Sequence, residues 1–564
     1  MGQGRAQPGR DRIPKILDLA PLVFITLWPF VSVAAHNRGE FIDLARVALA
    51  AGAAVACAFG LAFSLRLAIR EWPLWSAADL AGLLACLFFS LPLAETLAGA
   101  FFPSRARYAV AAWVALLLAV LLVHRLVGRN RGFHGFLIAA GFALVFLPAG
   151  QLGLSLLHQR PATPAPDTVA PVSSEHSMER PSTYFIILDG YARMDQLERV
   201  LGYDNSNFVA ALRERGFQVL DRAVANYGLS RLSIAATLNA ELILDESRDL
   251  GADHAVDVMR GNNAFVRFFT QRGYRYVHAP PGVWGSSACG EPADRCSGGR
   301  RYGRPCGVAP YRCLGGDTSV SGLTETDILL LRLTPIPILV RFLPVPEGTK
   351  GAIRKSVLSS FTSLDNVRQQ LASLPSNGPV FAFIHIMQPH PPNLFEADCT
   401  PKEKVDLNLQ AWSNNQDAYL DNLRCANRQT LELLDAILEK DPSALVIIQS
   451  DHGSAFTLDL DAPLAAWDRG QLLERFAVLN AMRLPAHCAH LLYPEISLVN
   501  TFPVISACLE RRDARYLPDT SFLTPDRSSH PELGRVRRID VNEEEPQAAG
   551  GRDEIPSTYR RSKR

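Results

Sequence analysis

The chain has 564 residues, 48% hydrophobic and 20% charged, with 57 Lys and Arg against 56 Asp and Glu for a formal net charge of +1. That length suits two or more domains, and the balanced charge gives no basis for nucleic-acid binding by the whole chain. The average composition conceals a sharp division between an apolar first quarter and a polar remainder.

After a basic N-terminus, residues 1–15, five apolar stretches follow at about 16–35, 47–69, 79–101, 108–126 and 135–157. Each is near the ~20 residues that span a bilayer. A cleaved signal peptide has a single apolar core, so it does not account for five. The pattern predicts a membrane domain of about five transmembrane helices over 16–157. Arg5, Arg10, Arg12, Lys15, Arg66, Arg70, Arg125, Arg129 and Arg131 fall on one side, against Arg38, Arg46, Arg105, Arg107 and Arg160 on the other. The basic side is cytoplasmic by the positive-inside rule, which places everything after an odd number of spans outside. Glu95 sits near the outer end of the third stretch and is read as snorkelling to the interface. Little charge within the spans and no evident inverted repeat argue against a transporter.

Residues 158–183 carry Pro161, Pro164, Pro166, Pro171 and Pro181 and read as an extended linker. From Tyr184 the pattern changes to apolar strands at 184–188, 380–386 and 445–449, separated by helical patterns at 207–215, 262–272, 357–374 and 419–439. Such alternation predicts an α/β domain over 184–525, a mainly parallel sheet with helices on both faces. Residues 287–318, rich in Gly, Arg and Cys, read as a disulfide-stapled insertion, and the charged segment 526–564 reads as a disordered tail.

Cys57 and Cys86 fall in apolar spans, while eight cysteines lie in the polar part. Their order suggests the local pairs Cys289–Cys296, Cys306–Cys313, Cys399–Cys425 and Cys488–Cys508, one of 105 connectivities. Disulfides fit an oxidising periplasm. The alternatives are reduced thiols or a zinc knot over 289–313, which has no Cys-x-x-Cys.

Two of the strands end in acidic residues. Asp189-Gly190 closes one and Asp451-His452-Gly453 closes another. In an open α/β sheet, ligands bind at the carboxyl ends of strands. Two strand-terminal carboxylates and an imidazole from distant parts of the chain suggest one divalent-metal site. Either motif alone is equally a turn with a surface residue.

With Ile186 to Tyr191, Asn226 to Ser233, His385 to Pro391, Ser450 to Gly453 and Glu474 to Ala481 in this order, the outer part resembles the alkaline-phosphatase/sulfatase superfamily. Within it, the chain is most similar to the membrane-anchored branch of lipoteichoic acid synthases and phosphoethanolamine or phosphoglycerol transferases. The resemblance implies a sulfatase-like fold and one ion held by Asp189, Ser230, Asp451 and His452. Mn²⁺ or Zn²⁺ suits that donor set best, with Mg²⁺ less obvious. It implies Ser230 as nucleophile, a departure from the family's usual Thr or Cys, with Ser233 as competitor and a helix N-cap as the bland alternative. His390 is expected to contact substrate phosphate and protonate the leaving group. His385 and Arg231 are further substrate-binding candidates, His385 doubling as a core histidine and Arg231 as a surface ion-pair residue.

A formylglycine sulfatase needs Ser or Cys followed by x-Pro-x-Arg. Ser230 is followed by Arg231-Leu232-Ser233-Ile234, without the Pro and the Arg, which argues against that route. The expected function is transfer of a phosphoglycerol or phosphoethanolamine head group from a phospholipid donor, through a covalent Ser intermediate, to an envelope glycan or lipid acceptor. The site would face the periplasm from the bacterial inner membrane. The alternatives are a metal-dependent phosphodiesterase or sulfatase-like hydrolase and a membrane protein with a decayed site.

Overall fold

The computed structural model describes residues 16–36, 44–91, 94, 106–157, 180–245, 247, 250, 252–282, 289–290, 293–297, 300–301, 304–305, 313–314, 325–336, 348, 351, 358, 361–374, 378–403, 412, 415–458, 467–524 and 536–541. The linker 158–179, Glu95, Arg160, Cys306 and most of the insertion 287–318 lie outside them.

The apolar part forms helices α1 (Ala20–His36), α2 (Leu44–Ala68), α3 (Leu74–Phe88), α4 (Ala106–Val127) and α5 (Arg131–Leu157). Four of these segments are long and apolar enough to cross a membrane, and α3 is a shorter apolar helix among the described residues. At 1.5 Å per residue, its 15 residues reach about 22 Å, short of a ~30 Å hydrocarbon core. The third stretch, expected over 79–101, therefore begins earlier, at Leu74.

That shift puts Asp79 inside the helix, fully buried. His134 on α5 donates from Nδ1 to its two carboxylate oxygens at 2.9 and 3.0 Å. Arg131 bonds Asp18 at 2.9 Å and lies over the Trp75 ring. The expectation of little intramembrane charge thus missed a buried pair, because a single Asp and a single His far apart in sequence leave no local signal. Apolar surroundings make such a pair tolerable only when both partners are present.

The polar part folds on β1 (Thr183–Leu188), β2 (Gln218–Val219), β3 (Arg275–Ala279), β4 (Arg295–Ser297), β5 (Arg300–Arg301), β6 (Arg304–Pro305), β7 (Cys313–Leu314), β8 (Val380–Ile386), β9 (Leu445–Gln449), β10 (Asn480–Arg483), β11 (Ser521–Leu523) and β12 (Arg537–Ile539). The main sheet runs β2-β10-β9-β1-β8-β3-β4-β7. It is parallel from β9 through β7, and β10 pairs antiparallel with both β9 and β2.

β1, β8 and β9 are buried on both faces, which is why each reads as a continuous apolar run. Side-chain alternation still sorts them. Phe185, Ile187, Phe381, Phe383, Leu445 and Ile447 enter one core with the helices Ser230–Asn239, Ala264–Thr270 and Thr501–Glu510. Tyr184, Ile186, Leu188, Ile384, Ile386, Val446 and Ile448 enter the other with Leu364–Ala372 and Gln416–Lys440. Each such aliphatic or aromatic side chain contributes about 1.5–3 kcal/mol by its burial.

Disulfides join Cys289–Cys296, Cys399–Cys425 and Cys488–Cys508. The second ties the segment after β8 to the helix Gln416–Lys440. The helix Glu325–Arg332 meets the membrane part, with Asp327 bonding Arg46 at 2.6 Å.

The expectation of a disordered tail from 526 on is corrected over 536–541. There β12 pairs with β11, and Ile539 and Val541 pack on Val224, Phe476 and Leu523. The apolar residues alternate among charges in Val536-Arg537-Arg538-Ile539-Asp540-Val541, a weak edge-strand pattern hidden by the net charge.

On β3, His278 is fully buried, stacked 5.0 Å from Phe383, with neither ring nitrogen hydrogen-bonded. Burial, reinforced by His385, pushes its pKa down from the ordinary 6.5 to about 3. The unfolded chain therefore binds a proton between those values that the folded chain does not. Its contribution is fully present above about pH 6.5 and is lost as pH falls towards 3, at up to about 1.4 kcal/mol per pH unit. His278→Phe is expected to flatten the acid limb by one proton, read from urea unfolding of the detergent-solubilised chain between pH 4 and pH 7.

Candidate functional site

The adjacent parallel strands β1, β8 and β9 end at one edge of the sheet and carry Asp189, His390 and Asp451-His452 past their carboxyl ends. Backbone bonds fix the turns. Asp189 N donates to Ile386 O at 2.9 Å, His390 N to Asp189 O at 3.0 Å, and Gly453 N to Arg475 O at 2.7 Å. Gly190 takes φ +66°, and a Cβ there would fall 2.9 Å from Trp412 and 3.3 Å from the His390 Cβ. At Gly453 a Cβ would lie 2.1 Å from the Glu474 carbonyl oxygen. Both motif glycines are thus imposed by close approach, the first also by its left-handed backbone.

Ser230 starts the helix Ser230–Asn239, so it is not the N-cap; Leu229 takes that place. Leu232 N and Ser233 N bond Leu229 O at 3.1 and 3.0 Å, so Ser230 sits at the positive N-terminal end of the helix. The loop before it is pinned by Ala225 N on Phe476 O at 2.8 Å and by Tyr227 OH on Leu244 O at 2.7 Å.

The four expected ligand residues come together around one nitrogen. His452 Nε2 lies 3.2 Å from Ser230 Oγ, 3.5 Å from Asp189 Oδ1 and 3.6 Å from Asp451 Oδ2. His452 Nδ1–H donates to the Gly453 carbonyl at 2.8 Å, which leaves Nε2 with its lone pair towards the others. Burial, reinforced by the Arg475 charge, pushes the His452 pKa down to about 4 against the opposing pull of Asp451 and Asp189, so the ring is neutral at pH 7. Asp189 Oδ1 and Asp451 Oδ2 are buried with no hydrogen-bond donor.

Two donor-free carboxylate oxygens facing a bare imidazole nitrogen repel one another unless a cation sits among them. The residues fit a divalent ion. Ligand atoms of Asp189, His385 and Asp451, and separately those of Asp189, His390 and His452, lie within 4.8 Å of one another.

His385 is fully buried in β8, and its Nε2–H donates to Asp189 Oδ2 at 3.1 Å. Its Nε2 is thus engaged by that carboxylate, while its Nδ1 has no hydrogen-bond partner. Burial opposes the Asp189 charge, but the rings of His390, His385 and His452 outweigh it and hold the carboxyl well below its usual range. His390 Nδ1–H bonds the Pro391 carbonyl at 2.6 Å, and its ring packs edge-on to Trp412 and 5.7 Å from the His452 ring. Arg231 is half-buried in the first turn of the Ser230 helix, and Ser233 Oγ is buried one turn further in without a partner.

Three residues about the site carried no role in the sequence reading. Trp412 covers His390, with no motif to signal it. Glu474 accepts from Ser454 Oγ at 2.9 Å, Thr457 N at 3.1 Å, Phe456 N and the Thr457 hydroxyl. Arg475, 5% exposed, bonds the Gly228 and Gly453 carbonyls. Adjacent acidic and basic residues at the end of an amphipathic helix look like solvent-facing charges until the fold buries them.

Residues 202–476 match the family model described as Sulfatase. No curated protein matches the chain. Among solved structures, the integral membrane lipooligosaccharide phosphoethanolamine transferase A of Neisseria meningitidis is 12% identical, with TM-score 0.41, over 86% of this chain and 95% of that one. The C-terminal periplasmic domain of EcEptC from Escherichia coli is 11% identical, with TM-score 0.35, over 64% and 92%. The phosphonate monoester hydrolase of Agrobacterium radiobacter is 14% identical, with TM-score 0.31, over 61% and 80%. The chain carries, over residues 202–476, a domain of the sulfatase family in the alkaline phosphatase/sulfatase superfamily.

Proposed function

We propose that the protein is a metal-dependent transferase that moves a phosphoglycerol or phosphoethanolamine head group from a phospholipid, through Ser230, to a hydroxyl of an envelope glycan or lipid. The observation that carries this reading is the convergence of Ser230 Oγ, Asp189 and Asp451 on the bare Nε2 of His452, with two carboxylate oxygens lacking donors. Apolar helices in the same chain support a lipid donor. The orientation proposed puts the catalytic domain in the periplasm, where disulfides such as Cys399–Cys425 persist.

Asp189, Asp451, His452 and Ser230 would hold Mn²⁺ or Zn²⁺. When bound, the ion lowers the pKa of the serine hydroxyl and draws charge from a phosphoryl oxygen. Ser230 Oγ, its proton first lost to solvent, attacks phosphorus as the alkoxide, and the bond from phosphorus to the diacylglycerol oxygen breaks. His390, fixed through its Nδ1–H on Pro391 O, gives that oxygen a proton from Nε2 in its doubly protonated form. It then takes a proton from the acceptor hydroxyl as that oxygen displaces Ser230. The positive N-terminal end of the Ser230 helix steadies the phosphoryl oxygens, Arg231 adds positive charge beside them, and His385 orients Asp189 rather than substrate.

Hydrolysis uses the same residues with water as acceptor, and the sulfatase-family match favours this as the second reading. Full-length protein incubated with Mn²⁺ and bacterial phospholipids is expected to carry a phospho-head-group adduct on the Ser230 peptide, detected by mass spectrometry. Diacylglycerol released at full rate without acceptor would favour hydrolysis. No adduct and no diacylglycerol would defeat both readings for these lipids.

A further inference from the structure

We infer that Arg475 is a positioning residue that locks the nucleophile turn to the metal-ligand turn. The inference rests on the reading of Ser230 as nucleophile. Arg475 Nε donates to Gly228 O at 2.8 Å and its Nη1 to Gly453 O at 3.3 Å. Gly228 is two residues before Ser230, and Gly453 directly follows His452. One planar guanidinium therefore joins the two backbones whose side chains meet at the 3.2 Å contact of Ser230 Oγ with His452 Nε2.

The neighbouring structure leaves Arg475 for this task. Glu474, its sequence neighbour, has its carboxylate engaged by Ser454, Phe456 and Thr457. The backbone of Arg475 also takes part, since its carbonyl accepts from Gly453 N at 2.7 Å. Its stem packs so closely on the nucleophile turn that a Cβ at Gly228 would be 3.2 Å from Arg475 Cγ. A buried cation bonded to carbonyls, rather than to a carboxylate, is costly unless the geometry it enforces is useful. Lysine, a point donor, does not reproduce the two-pronged bridge.

The test compares Arg475→Ala, Arg475→Lys and Arg475→Gln with the parent in the full-length, detergent-solubilised chain. Initial rates of Ser230 adduct formation are measured with phosphatidylglycerol or phosphatidylethanolamine, whichever the parent uses. Arg475→Ala is expected to lower kcat on the order of 100-fold while KM stays within about 3-fold, because misplacement by ~1 Å acts on the reacting geometry. Arg475→Lys is expected to recover less than about 10-fold of that loss, and millimolar guanidinium to raise the Arg475→Ala rate severalfold.

Parental kcat in Arg475→Ala, a loss confined to KM, or full recovery by lysine would overturn the inference and leave Ser230 catalysis standing. If Arg475→Ala does not fold, Arg475→Gln carries the same comparison. A folded glutamine variant with parental kcat would likewise overturn it, as would absence of guanidinium rescue in a folded alanine variant. A parent that forms no Ser230 adduct defeats the inference together with the reading beneath it.

Discussion

Ser230→Ala is expected to lower turnover by roughly four orders of magnitude or more while the chain keeps its ion and its fold. The hydroxyl is buried at the first helical position, 3.2 Å from His452 Nε2, and its loss removes the atom that would bond to phosphorus. The three other proposed ligands, Asp189, Asp451 and His452, remain. Deleting one oxygen leaves a void smaller than a methyl group, so stability should change by about 1 kcal/mol or less. Ser233→Ala is the informative partner. Its Oγ is also buried and lacks a partner, but it lies one turn further into the helix. It is expected to keep near-parental turnover of labelled phosphatidylglycerol or phosphatidylethanolamine. The reverse pattern, inactive Ser233→Ala and active Ser230→Ala, would move the nucleophile to Ser233.

The parts legible from sequence were those with local patterns. β1, β8 and β9 are buried on both faces, so each appears as an unbroken apolar run, and the ends of β1 and β9 are punctuated by Asp-Gly and Asp-His-Gly. Strand β3 is different. Arg275-Tyr276-Val277-His278-Ala279 mixes polar residues into a strand whose His278 is buried without a partner, and periodicity does not announce it. The antiparallel β10, Asn480–Arg483, is short, and its place beside β9 depends on tertiary pairing alone. The site divides in the same way. Its ligand candidates stand at strand ends and were nameable, whereas Trp412, Glu474 and Arg475 acquire their surroundings only when distant segments meet. His385 falls between these cases. Its strand was legible, but which neighbour received its Nε2–H depended on β1 lying in register alongside, with Ile187 opposite it.

Asp451 provides the sharpest test of the ion, because its substitution should move stability in opposite directions with and without metal. Its Oδ1 accepts from Gly190 N at 3.2 Å, whereas Oδ2 faces His452 Nε2 at 3.6 Å without a donor. Asp451→Asn keeps the shape and the Gly190 contact but removes one of two crowded negative charges. In metal-free protein it should therefore raise the melting temperature by about 1–2 °C, since a repulsion equivalent to about 1 kcal/mol is relieved. Adding Mn²⁺ or Zn²⁺ should reverse the order. The parent gains about 2.7 kcal/mol at a hundredfold excess over Kd, and the variant, its affinity lowered by roughly 100-fold, gains under ~1 kcal/mol. Metal analysis after desalting should find about one ion per parent chain and less than a tenth of that in Asp451→Ala, which loses the whole carboxylate. Without a crossover, the Arg475 charge would be sufficient to balance the two carboxylates. The donor-free oxygens would then need no ion, and the phosphotransfer reading would lose its basis.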